Sequence, residues 1–74
     1  MSEAGINLLC LGLNIRRWRR GRRMTQAELA AKVGCSAGTI SAIERGQRGS
    51  SVEMLFALSR VLTCPVKELL QGME

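Results

Sequence analysis

Residues 25–46, TQAELAAKVGCSAGTISAIERG, contain two short helix signals separated by one glycine-centred turn. Thr25 can cap a helix through its hydroxyl, and Glu28, three residues later, can reach back to the amide of the cap. Apolar residues then recur on one side of the helix until Gly34, which can adopt the left-handed conformation that ends a helix. The pattern predicts a first helix over about residues 25–33.

A second helix signal follows almost at once. Ser36 is a suitable cap, and Ile40 and Ile43 form an inward apolar stripe. Gly46 is placed to end this helix as Gly34 ends the first. Two helices joined by so few residues cannot lie antiparallel and must cross steeply, which is the helix-turn-helix arrangement. Such an arrangement can place its second helix in the major groove of DNA.

The whole chain reads as helical, with no run of alternating residues long enough to indicate a strand. Ser50 with Glu53 predicts a second capping box, and the fixed φ of Pro65 suits the start of a last helix. Seventy-four residues are close to the lower limit for one apolar core without staples. We therefore expect one all-α domain over residues 1–74, a compact five-helix bundle with helices at residues 6–21, 25–33, 36–45, 51–62 and 65–71.

The positive charge is concentrated in one segment. The net charge is +5, and six of the eleven basic residues are arginines within residues 16–23. Such density beside a helix-turn-helix pattern favours a nucleic-acid partner. Two alternatives stay open: a solvated helix end favoured by the helix dipole, and a basic amphipathic helix lying on a membrane. The membrane alternative needs an apolar face, formed by Leu8, Leu11, Ile15 and Trp18, that a small core also needs.

Several other classes of protein find little support in the composition. The three cysteines, Cys10, Cys35 and Cys64, form no CxxC pair, and there is no histidine, so we expect no metal site and no cofactor. Three free thiols suit a reducing cytoplasm, where we expect the protein to be nucleoid-associated. The apolar stretch at residues 6–13 is too short to span a bilayer. No set of residues suggests an enzyme or a small-molecule site.

The segment with its flanks, over residues 11–71, resembles the DNA-binding domain of the lambdoid phage repressors and Cro, of the XRE type. That family also includes restriction–modification controller proteins. The matching positions in the central motif are Thr25-Gln26, Glu28-Leu29-Ala30, Val33-Gly34, Ile40 and Ile43-Glu44-Arg45-Gly46. The flanking matches are Gly12, Ile15-Arg16 and Arg19 upstream, with Leu55, Leu58, Leu62 and Val66 to Leu70 downstream.

The resemblance implies roles for several residues of this chain. It implies a semi-buried salt bridge between Arg19 and Glu44, and a glutamine, Gln26, that bonds a phosphate and braces the recognition helix. It implies double-stranded DNA as the partner. The expected DNA-binding residues are Arg16, Arg20, Thr25, Gln26, Ser36, Ala37, Gly38, Thr39, Ser41, Ala42, Arg45, Gln47 and Arg48.

The recognition face differs from the family pattern in one respect. Relatives carry Gln, Asn, Arg or Lys there, whereas residues 37–42 of this chain are short. Methyl groups can meet thymine, and Thr39 or Ser41 can make one hydrogen bond, but long bidentate arms are absent. Two interpretations stay open: specificity taken from DNA shape and from Arg45 or Arg48, or weak DNA binding in a chain with another role.

One small domain makes few DNA contacts, so we expect a homodimer on a pseudo-palindromic operator. The expected dimer residues are Phe56, Val66, Leu69, Leu70 and Met73. The alternative is that these residues only complete the core of the single chain.

The sequence therefore predicts a sequence-specific transcriptional regulator, either a phage-type repressor or a restriction–modification controller. The alternative is an antitoxin or another protein-binding module with the same fold.

Overall fold

Five α-helices account for most of the chain in a computed structural model, which describes the backbone of residues 3–72 and the side chains of residues 8–72. The helices are α1 (Glu3–Gly21), α2 (Gln26–Val33), α3 (Ala37–Glu44), α4 (Val52–Leu62) and α5 (Val66–Leu69). The predicted all-α architecture is confirmed. The largest differences from the predicted bounds are an earlier start of α1 and a shorter α5.

The turn between α2 and α3 forms as the sequence predicts. The Thr25 hydroxyl accepts the amide of Glu28, and the Glu28 carboxylate accepts the amide of Thr25, which completes the capping box. Gly34 ends α2 with a φ of 96°, in the left-handed region. Ser36 caps α3 by accepting the amide of Thr39. Local side-chain chemistry is therefore enough to define this segment.

The start of α4 differs from its predicted form. Ser51, not Ser50, is the cap, and its hydroxyl accepts the amide of Met54. The predicted box between Ser50 and Glu53 is wrong, because the adjacent Ser51 offers the same capping chemistry and takes the cap, which places Met54 and not Glu53 at the third helical position. At the other end of α4, Thr63 takes a left-handed φ of 52°, and its backbone then leads into α5.

The core is aliphatic and lies where all five helices meet. Each helix contributes buried residues, and Cys64 adds one more from the link before α5. The fully buried large side chains are Ile15, Leu29, Ile40, Ile43, Leu58, Leu62 and Leu69. Leu11 and Ile15 lie in this core and Trp18 packs against it. The apolar face that a membrane-bound α1 would need therefore faces the other helices.

Two polar side chains, Asn14 of α1 and Arg22 in the turn after it, connect this part of the chain to the ends of α5 and α4. The Asn14 amide donates to the carbonyl oxygens of Leu69 and Gln71, at 2.8 and 2.9 Å. The Arg22 guanidinium donates to the carbonyls of Leu62 and Thr63, at 2.8 and 3.0 Å. These bonds satisfy carbonyl groups that a helix end leaves without partners.

Neither fastening was predicted. Arg22 belongs to the arginine-rich segment 16–23, for which the sequence favours a nucleic-acid partner, but its guanidinium binds the end of α4. The available signal for Asn14 was a single polar residue on the apolar side of α1. That signal cannot identify carbonyl partners more than fifty positions away along the chain.

No helix within residues 3–72 is long and apolar enough to cross a membrane.

Candidate nucleic-acid interface

Helix α3 is held in place by a junction of three helices at the Glu44 carboxylate. Arg19 of α1 donates to it through Nε at 2.6 Å and through a terminal nitrogen at 3.0 Å, a bidentate ion pair. Gln26 of α2 adds a third hydrogen bond at 3.1 Å. Arg19 and Glu44 are both buried, with 8% and 5% of their surfaces exposed. The predicted bridge is present, and it fixes α3 against both neighbouring helices.

The remaining polar groups of this junction are also satisfied. A further nitrogen of Arg19 donates to the carbonyl oxygen of Met24 at 2.8 Å, in the link between α1 and α2. The hydrogen bond to Glu44 raises the pKa of Arg19 above its ordinary value, against the opposing effect of burial. Arg19 is therefore a structural residue, and its charge is neutralised before any polyanion arrives.

Gly12 allows α1 to approach the end of α3 closely. A Cβ atom at this position would lie 2.5 Å from the carbonyl oxygen of Glu44 and closer still to that of Ile43. Real Cβ atoms essentially never come so near to backbone oxygens. The absence of a side chain at Gly12 is therefore a condition for the position of α3.

The first turns of α2 and α3 use their hydroxyl groups locally. Ser36 accepts the Thr39 amide at 3.1 Å and shares a second hydrogen bond with the Thr39 hydroxyl at 2.9 Å. At α2, accepting the Thr25 amide is the main cause that lowers the pKa of Glu28 below its ordinary value. Both hydroxyl oxygens already accept a backbone amide as helix caps. A phosphate contact by Thr25 or Ser36 would therefore use an oxygen that already has a partner.

The outward face of α3 is built from small residues. Ala37 and Gly38 are exposed, while Thr39, Ser41 and Ala42 are half-buried. The space beside Gly38 is open, since the nearest atom to an added Cβ would be the Ser36 hydroxyl at 3.8 Å. Gly38 is therefore not required by any close contact within the protein. The face carries no side chain that extends far from the helix.

Longer side chains follow directly after α3. Arg45, Gln47 and Arg48 are all exposed. Arg45 folds back so that its Nε lies 3.4 Å from the carbonyl oxygen of Ser41, one helical turn earlier. Gly46 takes a φ of 74° and ends α3 as predicted. The loop thus holds two arginines and a glutamine beside the end of α3.

The arginine cluster divides into two groups. Arg19 and Arg22 are committed to contacts within the chain. Four others are exposed and make no side-chain hydrogen bond or ion pair within residues 8–72; they are Arg16, Arg17, Arg20 and Arg23. Two of these, Arg16 and Arg20, are among the predicted DNA-binding residues, and both are free to contact a partner.

The predicted dimer residues are found in three different environments. Phe56 is 52% exposed on α4, and Val66 and Leu70 are half-buried at α5. Leu69 is fully buried in the core of the single chain, so it offers no surface to a partner and its prediction is corrected. Met73 lies outside the described residues.

Over residues 3–72, no three His, Cys, Asp or Glu side chains are grouped closely enough to hold a metal ion.

Comparison with known proteins places this geometry in a family. A family model described as helix-turn-helix matches residues 15–69. The HTH-type transcriptional regulator y4dJ of Sinorhizobium fredii, itself uncharacterized, is 38% identical over 52 residues, which are 70% of this chain and 68% of that protein.

Two solved structures are similar over most of the chain. The restriction–modification controller protein C.AhdI from Aeromonas hydrophila aligns with a TM-score of 0.82 at 28% identity, over 86% of this chain and 97% of its own. The P22 c2 repressor, solved in complex with synthetic operator 9T, aligns with a TM-score of 0.79 at 39% identity, over 84% and 94%. The chain therefore belongs to the XRE-type helix-turn-helix family of DNA-binding transcriptional regulators.

Proposed function

We propose that the protein binds a pseudo-palindromic DNA operator as a homodimer, with α3 in the major groove, and so regulates transcription without catalysing a reaction. The observation that carries the proposal is the Glu44 junction. Three hydrogen bonds from two other helices hold α3 at one end, while its opposite face stays open to a partner. A helix that is held by its neighbours on one side and exposed on the other suits insertion into the major groove of DNA.

Phosphate contacts would supply most of the affinity, because neutralising phosphates releases counterions whatever the sequence. Gln26 suits such a contact, since its amide has two N–H donors and uses one of them on Glu44. Thr25 and Ser36 sit where helix dipoles and free amides favour an anion. The cationic and amide side chains that would complete the contact are Arg16, Arg20, Arg45, Gln47 and Arg48.

Base recognition on this surface would depend on close approach. The methyl groups of Ala37, Thr39 and Ala42 can contact thymine methyl groups, and the Ser41 hydroxyl can make one hydrogen bond. Gly38 adds no bulk, so the backbone of α3 can lie near the floor of the groove. We infer that sequence preference comes from these short contacts, from DNA shape, and from Arg45 or Arg48 at the groove edges.

The dimer would form through α4 and α5. Phe56 exposes half of a large aromatic side chain to solvent, and aromatic residues are common anchors of protein interfaces. Val66 and Leu70 retain partial exposure beside the core. Met73 would extend the same apolar segment along the sequence. A symmetric pair would place two copies of α3 on successive turns of the same face of the duplex.

Similarity to both a controller and a repressor is compatible with two regulatory settings, a restriction–modification controller or a phage-type repressor. The short side chains on α3 favour one alternative function. A face without bidentate arms could bind a protein, as an antitoxin does, in place of DNA.

Selection of bound fragments from a random DNA pool tests the proposal. We expect enriched sites with two half-sites about 10 base pairs apart, centre to centre. On the selected site, log K should fall with log salt concentration with a slope of about −7 if four arginines per protomer meet phosphates. Failure to enrich any sequence, with a slope near zero, would support the protein-binding alternative.

A further inference from the structure

The outward side of α1 forms a shallow groove of which the proposed DNA surface uses only Arg16 and Arg20. Leu13, Arg16, Arg17 and Arg20 line an open concavity of about 440 Å³. Leu9, one turn earlier, lies next to this concavity, with its side chain beside Gly46. Leu9 and Leu13 are 50% and 54% exposed, two of the large apolar side chains that this fold leaves in solvent. We refer to these five residues as the α1 groove.

The groove lies to one side of the Glu44 junction and not opposite it, with Arg16 nearest to that junction and Arg17 farthest from it. A helix turns about 100° per residue, so Arg17 lies about 160° around α1 from Arg19. Arg19 faces α3 through its bonds to Glu44. Arg16 and Arg20 lie on the edge nearer α3 and are available to phosphates, whereas Leu13 and Arg17 lie on the far side.

The chemistry of the groove indicates what would fill it. None of its three guanidiniums has a hydrogen-bond or ion-pair partner among the side chains of residues 8–72, so each can donate two hydrogen bonds to a carboxylate in bidentate geometry. The two leucines require apolar partner atoms, which a sugar-phosphate backbone does not supply in quantity. A partner must therefore carry both kinds of group at helical or extended spacing.

We propose that the α1 groove docks an acidic amphipathic segment of another protein, in which apolar side chains cover Leu9 and Leu13 and carboxylates pair with the arginines. The site shares Arg16 and Arg20 with the proposed phosphate contacts, so the partner and DNA would compete for these two arginines. The combination of charge complementarity and apolar cover matches the way amphipathic segments bind grooves in other proteins.

A synthetic peptide with Leu at helical spacing and Glu at the remaining positions tests the proposal, with a Glu→Gln copy as its neutral control. Titration into the isotope-labelled full chain should shift the NMR signals of residues 9–20 on the outward face of α1. The double variant Leu13→Asn with Arg17→Gln should weaken peptide binding about tenfold or more. Arg60→Gln, which removes one exposed charge from α4, should leave it unchanged.

Any one of five outcomes would overturn the proposal. Peptide shifts confined to α3 and the start of α2 would place the peptide on the DNA surface. Equal peptide binding by the parent and the double variant would exclude the groove. If the double variant loses as much affinity for the selected DNA site as Arg48→Gln does, the groove is part of the DNA-binding surface. If the protein pellets with phosphatidylserine vesicles in a Leu13-dependent way and does not bind the peptide, the groove binds lipid. If the double variant changes its oligomeric state, the groove is an interface with a second copy of the chain.

Discussion

Glu44 of α3 is a buried carboxylate whose two oxygens accept hydrogen bonds from side chains of α1 and α2. Oε2 accepts from Arg19, and Oε1 accepts from both Arg19 and Gln26. Among the described residues, no buried side-chain nitrogen or oxygen lacks a partner. A buried ion pair of this kind adds little over an apolar replacement, but removal of one partner leaves an uncompensated charge.

Glu44→Gln should therefore destabilise the free protein by about 3 kcal/mol, because Arg19 would stay buried beside a neutral amide. Urea or thermal unfolding without DNA measures the change. Glu53→Gln is the matched control, since Glu53 is exposed on α4 and its loss should cost less than about 0.5 kcal/mol. Equal stability of the two variants would contradict the role assigned to the junction.

Gly12 and Gly21 lie on the same helix in opposite surroundings. Gly12 faces the carbonyls of Ile43 and Glu44, whereas an added Cβ at Gly21 would meet no atom of the described residues within 4 Å. Gly12→Ala should cost about 1–3 kcal/mol by overpacking and should weaken DNA binding by displacing α3. Gly21→Ala should be neutral or stabilising by up to about 1 kcal/mol. Unfolding curves that rank the two variants the other way would rule out the close approach.

At the scale of the helices, the sequence predicted best what local chemistry determines. The caps Thr25 and Ser36 and the terminator Gly34 bond groups within five positions of themselves, so their residue types suffice to identify them. Asn14 and Arg22 bond carbonyls at the far end of the chain, and no local pattern encodes those partners. The long-range Arg19–Glu44 bridge was predicted only through family resemblance.

The surface residues were harder to predict than the helices. An apolar residue at the end of the chain can belong to the core or to an interface, and the sequence alone assigns both the same pattern. Leu69 is buried within the single chain while its neighbour Leu70 keeps partial exposure. Only the packing of α5 against α1 and α4 distinguishes them.

The capping box of α2 should make stability depend on pH in a defined direction. Hydrogen bonding to Thr25 lowers the pKa of Glu28 in the folded state. The stabilisation is therefore complete above the ordinary glutamate pKa of 4.5 and is lost as pH falls through the lowered value. The melting temperature of the parent should exceed that of Glu28→Gln at pH 7, and the gap should narrow below about pH 4.5. A gap that widens in acid would contradict this contact.

For the whole molecule, the proposed dimer makes a separate prediction. Phe56→Glu should shift the protein toward the monomer in sedimentation experiments, because a charge would replace the exposed aromatic anchor. Leu13→Glu changes a side chain of similar exposure on α1 and should leave the mass unchanged. If both variants sediment like the parent, the interface lies elsewhere.

Placement of α3 in the major groove is the central claim, and one paired measurement tests it directly. Ala42→Glu adds a carboxylate to the recognition face, and Ala31→Glu adds the same group to an exposed position of α2. With folding of both variants checked by circular dichroism, their affinities for the selected DNA site are compared at one salt concentration. Ala42→Glu should lose at least about a hundredfold in affinity, because the carboxylate would be held among phosphates, while Ala31→Glu should lose far less. Equal affinities of the two variants would show that α3 does not enter the groove.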